Sequence, residues 1–286
     1  MSPRGLGRCA GGAQPPAARP WRDLAGAFAL LTTLPVSPRA GGREEELPRC
    51  APYFPLAGAA LGAALWGLDW ASAPLLGPLL RAALLMLALF ALTGGLHLDG
   101  LADTCDGLFS RERGGRALEI MRQGAVGALG AAALVLALLL RFAVYASLEG
   151  GLRGPSLVVA AVAGRQAMVL AMAAFPAAGS GPGLGQAFAR KVGLRGVSAS
   201  LGLSLGLGAA LWAWGWGPGV PGAWAAAVAL GAGLVVALLC GHAVARAVAR
   251  RLGGLSGDVY GAVGEAAELA FLLVSALAAG WALPAG

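Results

Sequence analysis

Seven runs of nearly pure apolar sequence, at about residues 52–69, 74–95, 124–147, 156–179, 197–217, 222–243 and 262–283, constrain the fold before any other feature does. A helix needs about 20 such residues to cross a bilayer core, and a crossing backbone must satisfy its own hydrogen bonds. The predicted fold class is therefore all-α, a polytopic membrane bundle of about seven transmembrane helices. Charge is correspondingly scarce, 12% of residues against about 25% in soluble domains. The stretch 24–36 (LAGAFALLTTLPV) is apolar but too short to span, and reads as an interfacial or re-entrant helix ending at Pro35. Residues 1–20, mostly Gly, Pro, Ala and Arg, read as a disordered basic tail, with one membrane-embedded domain over 21–286. A signal peptide fits the tail poorly, because no A-x-A site precedes a soluble domain. Residues 38–50 form a solvated polar linker.

Seven spans alternate the loops between two sides. One side receives 96–123, 180–196 and 244–261, with Arg111, Arg113, Arg116, Arg122, Arg190, Lys191, Arg195, Arg246, Arg250 and Arg251. The other receives 70–73, 148–155 and 218–221, with only Arg153. Ten against one is a positive-inside pattern, which places the first set on the cytoplasmic face. The net charge of +7 is thus explained by loops beside membrane spans. It does not indicate nucleic acid, since the arginines form no single patch. The four cysteines, Cys9, Cys50, Cys105 and Cys240, show no CxxC or metal-ligand spacing.

Chemistry concentrates between Thr93 and Gly107, TGGLHLDGLADTCDG. Asp99, Asp103 and Asp106 are half of the chain's six aspartates. On a helix, at about 100° per residue, they fall within an arc of roughly 60°. Three like charges on one face repel and call for a cation among them. A hard divalent metal such as Mg²⁺, bridging to phosphate oxygens, meets that need. His97 points roughly opposite to this face on the same count, and is either a proton-transfer group or a packed histidine. Glu112 and Glu119, flanked by arginines, read as solvated loop residues.

Four further groups qualify as candidates. In EIMRQGAVGALG (119–130), Arg122 is placed to neutralise phosphate oxygens, and Gly124, Gly127 and Gly130 permit close backbone approach or helix packing. Lys191 ends GLGQAFARK and is either a phosphate ligand or a membrane anchor. Asp258, Glu265 and Glu268 share a face about 80° wide if helical, a second acidic cluster expected to meet the first across the bundle. Arg81, Arg141 and Arg165 lie within spans. The first two are expected to snorkel from the outer ends, and the deeper Arg165 to form an ion pair.

The stretch GGLHLDGLADTCDG (94–107) resembles the signature of the cobalamin synthases, or adenosylcobinamide-GDP ribazoletransferases. TTLPV (32–36), FPLAG (54–58), LEIMR (118–122) and GLSGDVYGAVGEAAE (254–268) follow the family in the same order, so the resemblance spans about 25–275. It implies transfer of α-ribazole, or its 5′-phosphate, to adenosylcobinamide-GDP, with GMP released and adenosylcobalamin or its phosphate formed. It further implies Mg²⁺ as cofactor and a cytoplasmic (inner) membrane location. On this resemblance Asp99, Asp103 and Asp106 are metal ligands. Together with His97 they form the catalytic set, His97, Asp106 and Glu265 being candidate bases. Gly94, Gly95, Arg122, Lys191, Arg165, Asp258, Glu265 and Glu268 are the substrate-binding candidates. The expected partners are the two substrates and the lipid bilayer, with no nucleic acid. Association with a second copy, or with other enzymes of cobalamin assembly, is left open. The family continues IMR with Asp, where this chain has Gln123, which offers only a neutral amide oxygen.

Two rivals share some of these features. A CDP-alcohol phosphotransferase has DG-x2-AR followed by widely spaced aspartates, but here Asp99-Gly100 is followed by LAD. An ion-coupled transporter carries carboxylates near the bilayer midplane and internal repeats, but here the acids gather at one end.

Overall fold

The computed structural model describes residues 20–36, 44–180, 182–215 and 223–282. The expectations for the tail up to residue 19, for part of the polar linker and for the outer loop at 218–221 lie outside the described residues. Among those described, α1 (Pro20–Leu31) precedes two short 3-10 turns and α2 (Phe54–Ser72). Then follow α3 (Pro78–Thr93), α4 (Leu96–Phe109), α5 (Gly115–Met121), α6 (Ala128–Ser147) and α7 (Arg153–Ala174). The chain continues through α8 (Leu184–Phe188), α9 (Leu194–Gly215), α10 (Ala223–Leu252) and α11 (Gly257–Ala282). Six helices, α2, α6, α7, α9, α10 and α11, are long and apolar enough to cross a membrane. The bent pair α3–α4 adds a seventh only if its two helices are counted as one span. The twelve-residue α1 is not among the spans, as its length predicted, but it ends at Leu31 and not at Pro35.

The bundle is built around α7, which is buried from Arg153 almost to its end. Small residues let its neighbours approach. A Cβ on Gly58 of α2 would sit 2.5 Å from the Ala161 carbonyl oxygen, so the two backbones nearly touch. Close approach of this kind drives helix association in lipid, where burial of apolar surface gives no preference for protein over acyl chain.

The predicted span at 74–95 does not run straight. It stops at Thr93, and α4 leaves at 89°. Gly94 and Gly95 make the corner with φ of 63° and 72°, a left-handed conformation that glycine adopts without steric penalty. At 1.5 Å per residue α3 is only about 24 Å long, short of a bilayer core of about 30 Å. The turn therefore lays α4 across the end of α3 instead of continuing it as a straight span. The carbonyls that end α3 find partners in the TTLPV segment. The Thr33 amide donates to Leu92 O at 2.8 Å, and its hydroxyl to Ala91 O at 2.8 Å.

The loops expected on one side do converge. Arg251 reaches the Ser110 carbonyl, and its own carbonyl accepts from Gly114 N at 3.1 Å. Leu255 pairs with Pro176 and Ala178 through backbone bonds of 2.8 and 3.0 Å. Two boundaries are corrected. Residues 244–252 belong to α10, whose last turns carry Arg246, Arg250 and Arg251 beyond the apolar run. The last helix starts at Gly257, so Asp258, Glu265 and Glu268 share one helix.

Two of the intramembrane arginines do not snorkel. At the opposite end of the bundle Asp69 takes a two-pronged contact from Arg153, both bonds 2.7 Å, and another from Arg81, at 3.0 and 2.5 Å. Arg153, expected in a loop, is the first residue of α7 and is buried. Arg141 faces the bundle interior, where it meets Glu265 and Glu268. Planar guanidinium forks match carboxylates in this bidentate way, and in a low-dielectric bundle a partner outcompetes a stretch toward water.

Candidate functional site

The aspartate face of α4 meets the start of α11 at close quarters. A Cβ on Gly100 would lie 2.5 Å from the Asp258 carbonyl oxygen, and one on Gly261 3.1 Å from the His97 Cα. The lack of a side chain, strict at Gly100 and closely fitted at Gly261, lets the two helices cross with backbones in contact. The crossing brings Asp258 into the field of Asp103. Asp103 is pushed up to about 6, first by partial burial and then by Asp99, Asp258 and Asp106. Asp99 is exposed, and Asp103, Asp106 and Asp258 are half-buried. This part of the second acidic cluster does meet the first.

Asp106 has a different occupation from its neighbours. Its two carboxylate oxygens accept from the Gly127 and Gly130 amides at 2.7 and 2.8 Å. These amides belong to the first turn of α6, whose N–H groups lack intrahelical partners, and the positive end of the helix dipole adds to the attraction. The glycine spacing of 119–130 thereby acquires a reason. A Cβ at Gly127 would fall 2.5 Å from Asp106 Oδ1, and one at Gly130 would collide with the same carboxylate and with Ala102 O. Gly130→Ala is accordingly expected to lower stability by roughly 1–3 kcal/mol through overpacking, read as a loss in a thermal unfolding assay in detergent. Unchanged unfolding would mean that α4 and α6 are not locked together here.

Glu265 and Glu268 do not join the aspartates. They lie two to three turns deeper on α11 and are neutralised there. Arg141 donates to Glu265 at 2.6 Å and to Glu268 at 3.0 Å, and Arg165 donates to Glu268. All four side chains are nearly inaccessible. The ion pair expected of Arg165 is thus present, while Arg141 is turned inward by carboxylates 124 and 127 residues away in sequence. His97 adjoins this network, its Nδ1 3.4 Å from the Arg165 guanidinium. Arginine only donates, so Nδ1 accepts and the ring proton sits on Nε2.

Two hollows flank the N-terminal half of α4. The smaller, about 250 Å³, lies between α4, α7, α8 and α11. Arg122, Ser256 and Asp258 contribute to its wall along with His97 and Tyr260. The larger, about 850 Å³, lies between α3, α4 and α6, with Gly94, Gly95, Asp99, Arg141 and Glu265 in its wall. Leu30 and Leu96 border both. Asp99 borders the larger cavity and Asp258 the smaller, and Asp103 lies within the electrostatic reach of both, so the three form an acidic ridge between the two cavities. Arg122 ends α5 with an exposed side chain, and Gln123 follows it, also exposed. Lys191 is exposed beyond α8 and borders neither hollow. Tyr260 was not singled out from the sequence, although it lies within GDVYGAVGEAAE; nothing local distinguishes it from a core tyrosine.

The arrangement suits a hard cation only in part. The donors are carboxylate oxygens, which Mg²⁺ prefers. Among the described residues, however, no three Asp, Glu, His or Cys side chains converge to cage a metal, and both Asp106 oxygens are already engaged. That fits an ion bound by one or two carboxylates that completes its octahedron with water and substrate phosphate, as Mg²⁺ commonly does. Asp99 and Asp103, one turn apart, are the residues so placed.

Residues 23–276 match the family described as cobalamin-5-phosphate synthase. The chain is 37% identical over 269 residues to a protein of Roseiflexus sp. (strain RS-1), covering 91% of each. It is 40% identical to a protein of Citrobacter koseri, over 86% of this chain and 96% of that one. It is 32% identical to a protein of Brevibacillus brevis, over 87% of this chain and 95% of that one. All three are named adenosylcobinamide-GDP ribazoletransferase. No solved structure matches. With a match running from α1 through most of α11 and relatives of this identity over nearly their whole length, the chain belongs to the cobalamin-5-phosphate synthase family.

Proposed function

We propose that this chain is an adenosylcobinamide-GDP ribazoletransferase of the cytoplasmic membrane, with its active face toward the cytoplasm. The observation that carries the reading is the ridge formed by Asp99, Asp103 and Asp258 between two cavities. It offers one negatively charged edge to a diphosphate–metal unit and room on either side for two substrates. The excess of arginine at the same end of the bundle supports the cytoplasmic orientation.

The reaction follows from placing the parts. A ribose hydroxyl of α-ribazole, or of its 5′-phosphate, attacks the phosphorus attached to cobinamide. A new P–O bond forms, the bond to the GMP oxygen breaks, and the hydroxyl proton must go to a base. Three candidates are engaged elsewhere: Asp106 by the α6 amides, Glu265 by Arg141, and His97 Nδ1 by Arg165. Asp258 is held only by the Ser256 hydroxyl at 3.3 Å and borders the smaller cavity, so it is the acceptor assigned here. Mg²⁺, when bound at Asp99 and Asp103, supplies charge neutralisation for the diphosphate and the departing GMP oxygen. Arg122 at the cavity mouth binds the remaining phosphate oxygens.

The test is a transferase assay on membranes containing the protein, with adenosylcobinamide-GDP, α-ribazole and Mg²⁺, following GMP and corrinoid product. Product is expected from the parent. Asp258→Asn is expected to reduce kcat by about 10²- to 10⁴-fold with little change in the KM of either substrate. No product from folded parent protein with either the free or the phosphorylated riboside would overturn the reading.

A further inference from the structure

We propose that the smaller cavity is the seat of the acceptor's aromatic base, and that His97 and Tyr260 select a base carrying an unprotonated ring nitrogen. This deepens the transferase reading and rests on it.

The cavity has the size and lining for such a group. At about 250 Å³ it falls below the about 300–1,000 Å³ of pockets that enclose drug-sized ligands. A corrinoid macrocycle cannot enter, whereas a bicyclic base can. Phe54 and Phe188 line it as an edge-to-face pair with ring centroids 5.9 Å apart, and Met168 and Met172 add soft, polarisable surface. Aromatic faces and thioethers favour flat aromatic ligands.

Two residues of this wall each carry a polar atom without a partner. Tyr260 Oη and His97 Nε2 are buried without a hydrogen bond, in residues 2% and 3% exposed. Buried polar groups are nearly always paired, so each calls for an explanation. Because Arg165 obliges Nδ1 to accept, Nε2 carries the proton and can only donate. The tyrosine hydroxyl can donate as well. Two donors on residues that line a chamber with aromatic and thioether walls suit a ligand that brings a lone pair in the plane of an aromatic ring. A benzimidazole riboside has one, on the ring nitrogen that bears no sugar. The base would enter past Arg122 and Asp258, leaving its ribose beside the aspartate ridge. The larger cavity, on the other side of α4, is left for the corrinoid donor.

The experiment compares α-ribazole with the matching indole riboside, in which a C–H replaces that ring nitrogen at nearly the same shape. The parent is expected to prefer α-ribazole by at least about 10-fold in kcat/KM, since a site built to hydrogen-bond rejects an analogue without the group. In Tyr260→Phe that preference is expected to shrink by about 5-fold or more, with the KM for adenosylcobinamide-GDP unchanged. Met172→Trp, which fills the cavity, is expected to raise the riboside KM at least about 10-fold and to leave the donor KM alone. Met172→Leu controls for folding. A parent indifferent to the ring nitrogen would overturn the inference while transfer itself still occurred, as would a Tyr260→Phe protein with undiminished preference. So would a filled cavity that raises the donor KM instead. Absence of transfer to any riboside by folded parent would remove the underlying reading, and the inference with it.

Discussion

Asp103→Asn is expected to lower transferase turnover by about 10²- to 10³-fold without weakening the fold. The two halves of this expectation have separate causes. Asp103 is half-buried at the centre of the ridge, where burial and the charges of Asp99, Asp258 and Asp106 all disfavour its ionised form. An ionised group whose carboxyl is raised in the folded state opposes folding at neutral pH. Removing that charge with an isosteric amide relieves the repulsion, so unfolding in metal-free detergent should occur at the same temperature or higher. The carboxylate is retained in spite of this cost because a cation and a diphosphate are to be held there. The variant should also need more Mg²⁺ to reach half of its own maximal rate. GMP release measured against Mg²⁺ concentration, beside a thermal melt, reads both halves. Full activity with an unchanged Mg²⁺ requirement would take the ridge out of the chemistry.

Breaking the buried ion network should have the largest effect on stability. Glu268 accepts from both Arg141 and Arg165, and none of the three is open to water. Glu268→Ala leaves one arginine without a carboxylate and the other with Glu265 alone. Loss of one partner from a buried pair costs about 3–5 kcal/mol, because the remaining charge is neither solvated nor paired. The double variant Arg165→Met with Glu268→Leu removes both charges and keeps Arg141 with Glu265. It is expected to recover most of the loss, since apolar replacement of a whole buried pair is often neutral or stabilising. A denaturant titration in detergent micelles makes the comparison. A Glu268→Ala protein within about 0.5 kcal/mol of the parent would show that water reaches this network.

The network also shows where reading a sequence stops. Arg165 was expected to form an ion pair, and it does. Arg141 was expected to reach outward, because its position along α6 is readable but its facing direction is not. That direction is decided by two glutamates on α11, far away in sequence. Asp106 is a similar case. Its place on the aspartate face follows from the helical repeat, yet its engagement by Gly127 and Gly130 follows from how α6 docks on α4. Asp69 gave no sign of its two arginines, since Arg81 and Arg153 are brought to it by the return of α3 and the start of α7.

What the sequence determined by itself is what depends on neighbours a few residues away. Run length gave the spans, the 3.6-residue repeat aligned Asp99, Asp103 and Asp106, and the arginine asymmetry sorted the loops. Its motifs also carried the family. The tertiary structure alone decided which charges remain free, because that depends on the partner each helix face meets. It left Asp99, Asp103 and Asp258 for the ridge, spent Asp106, Glu265 and Glu268 on holding the bundle, and hollowed the cavity beside Tyr260. Contacts between helices are set by packing azimuth and close glycine approach, quantities that no window along the chain contains.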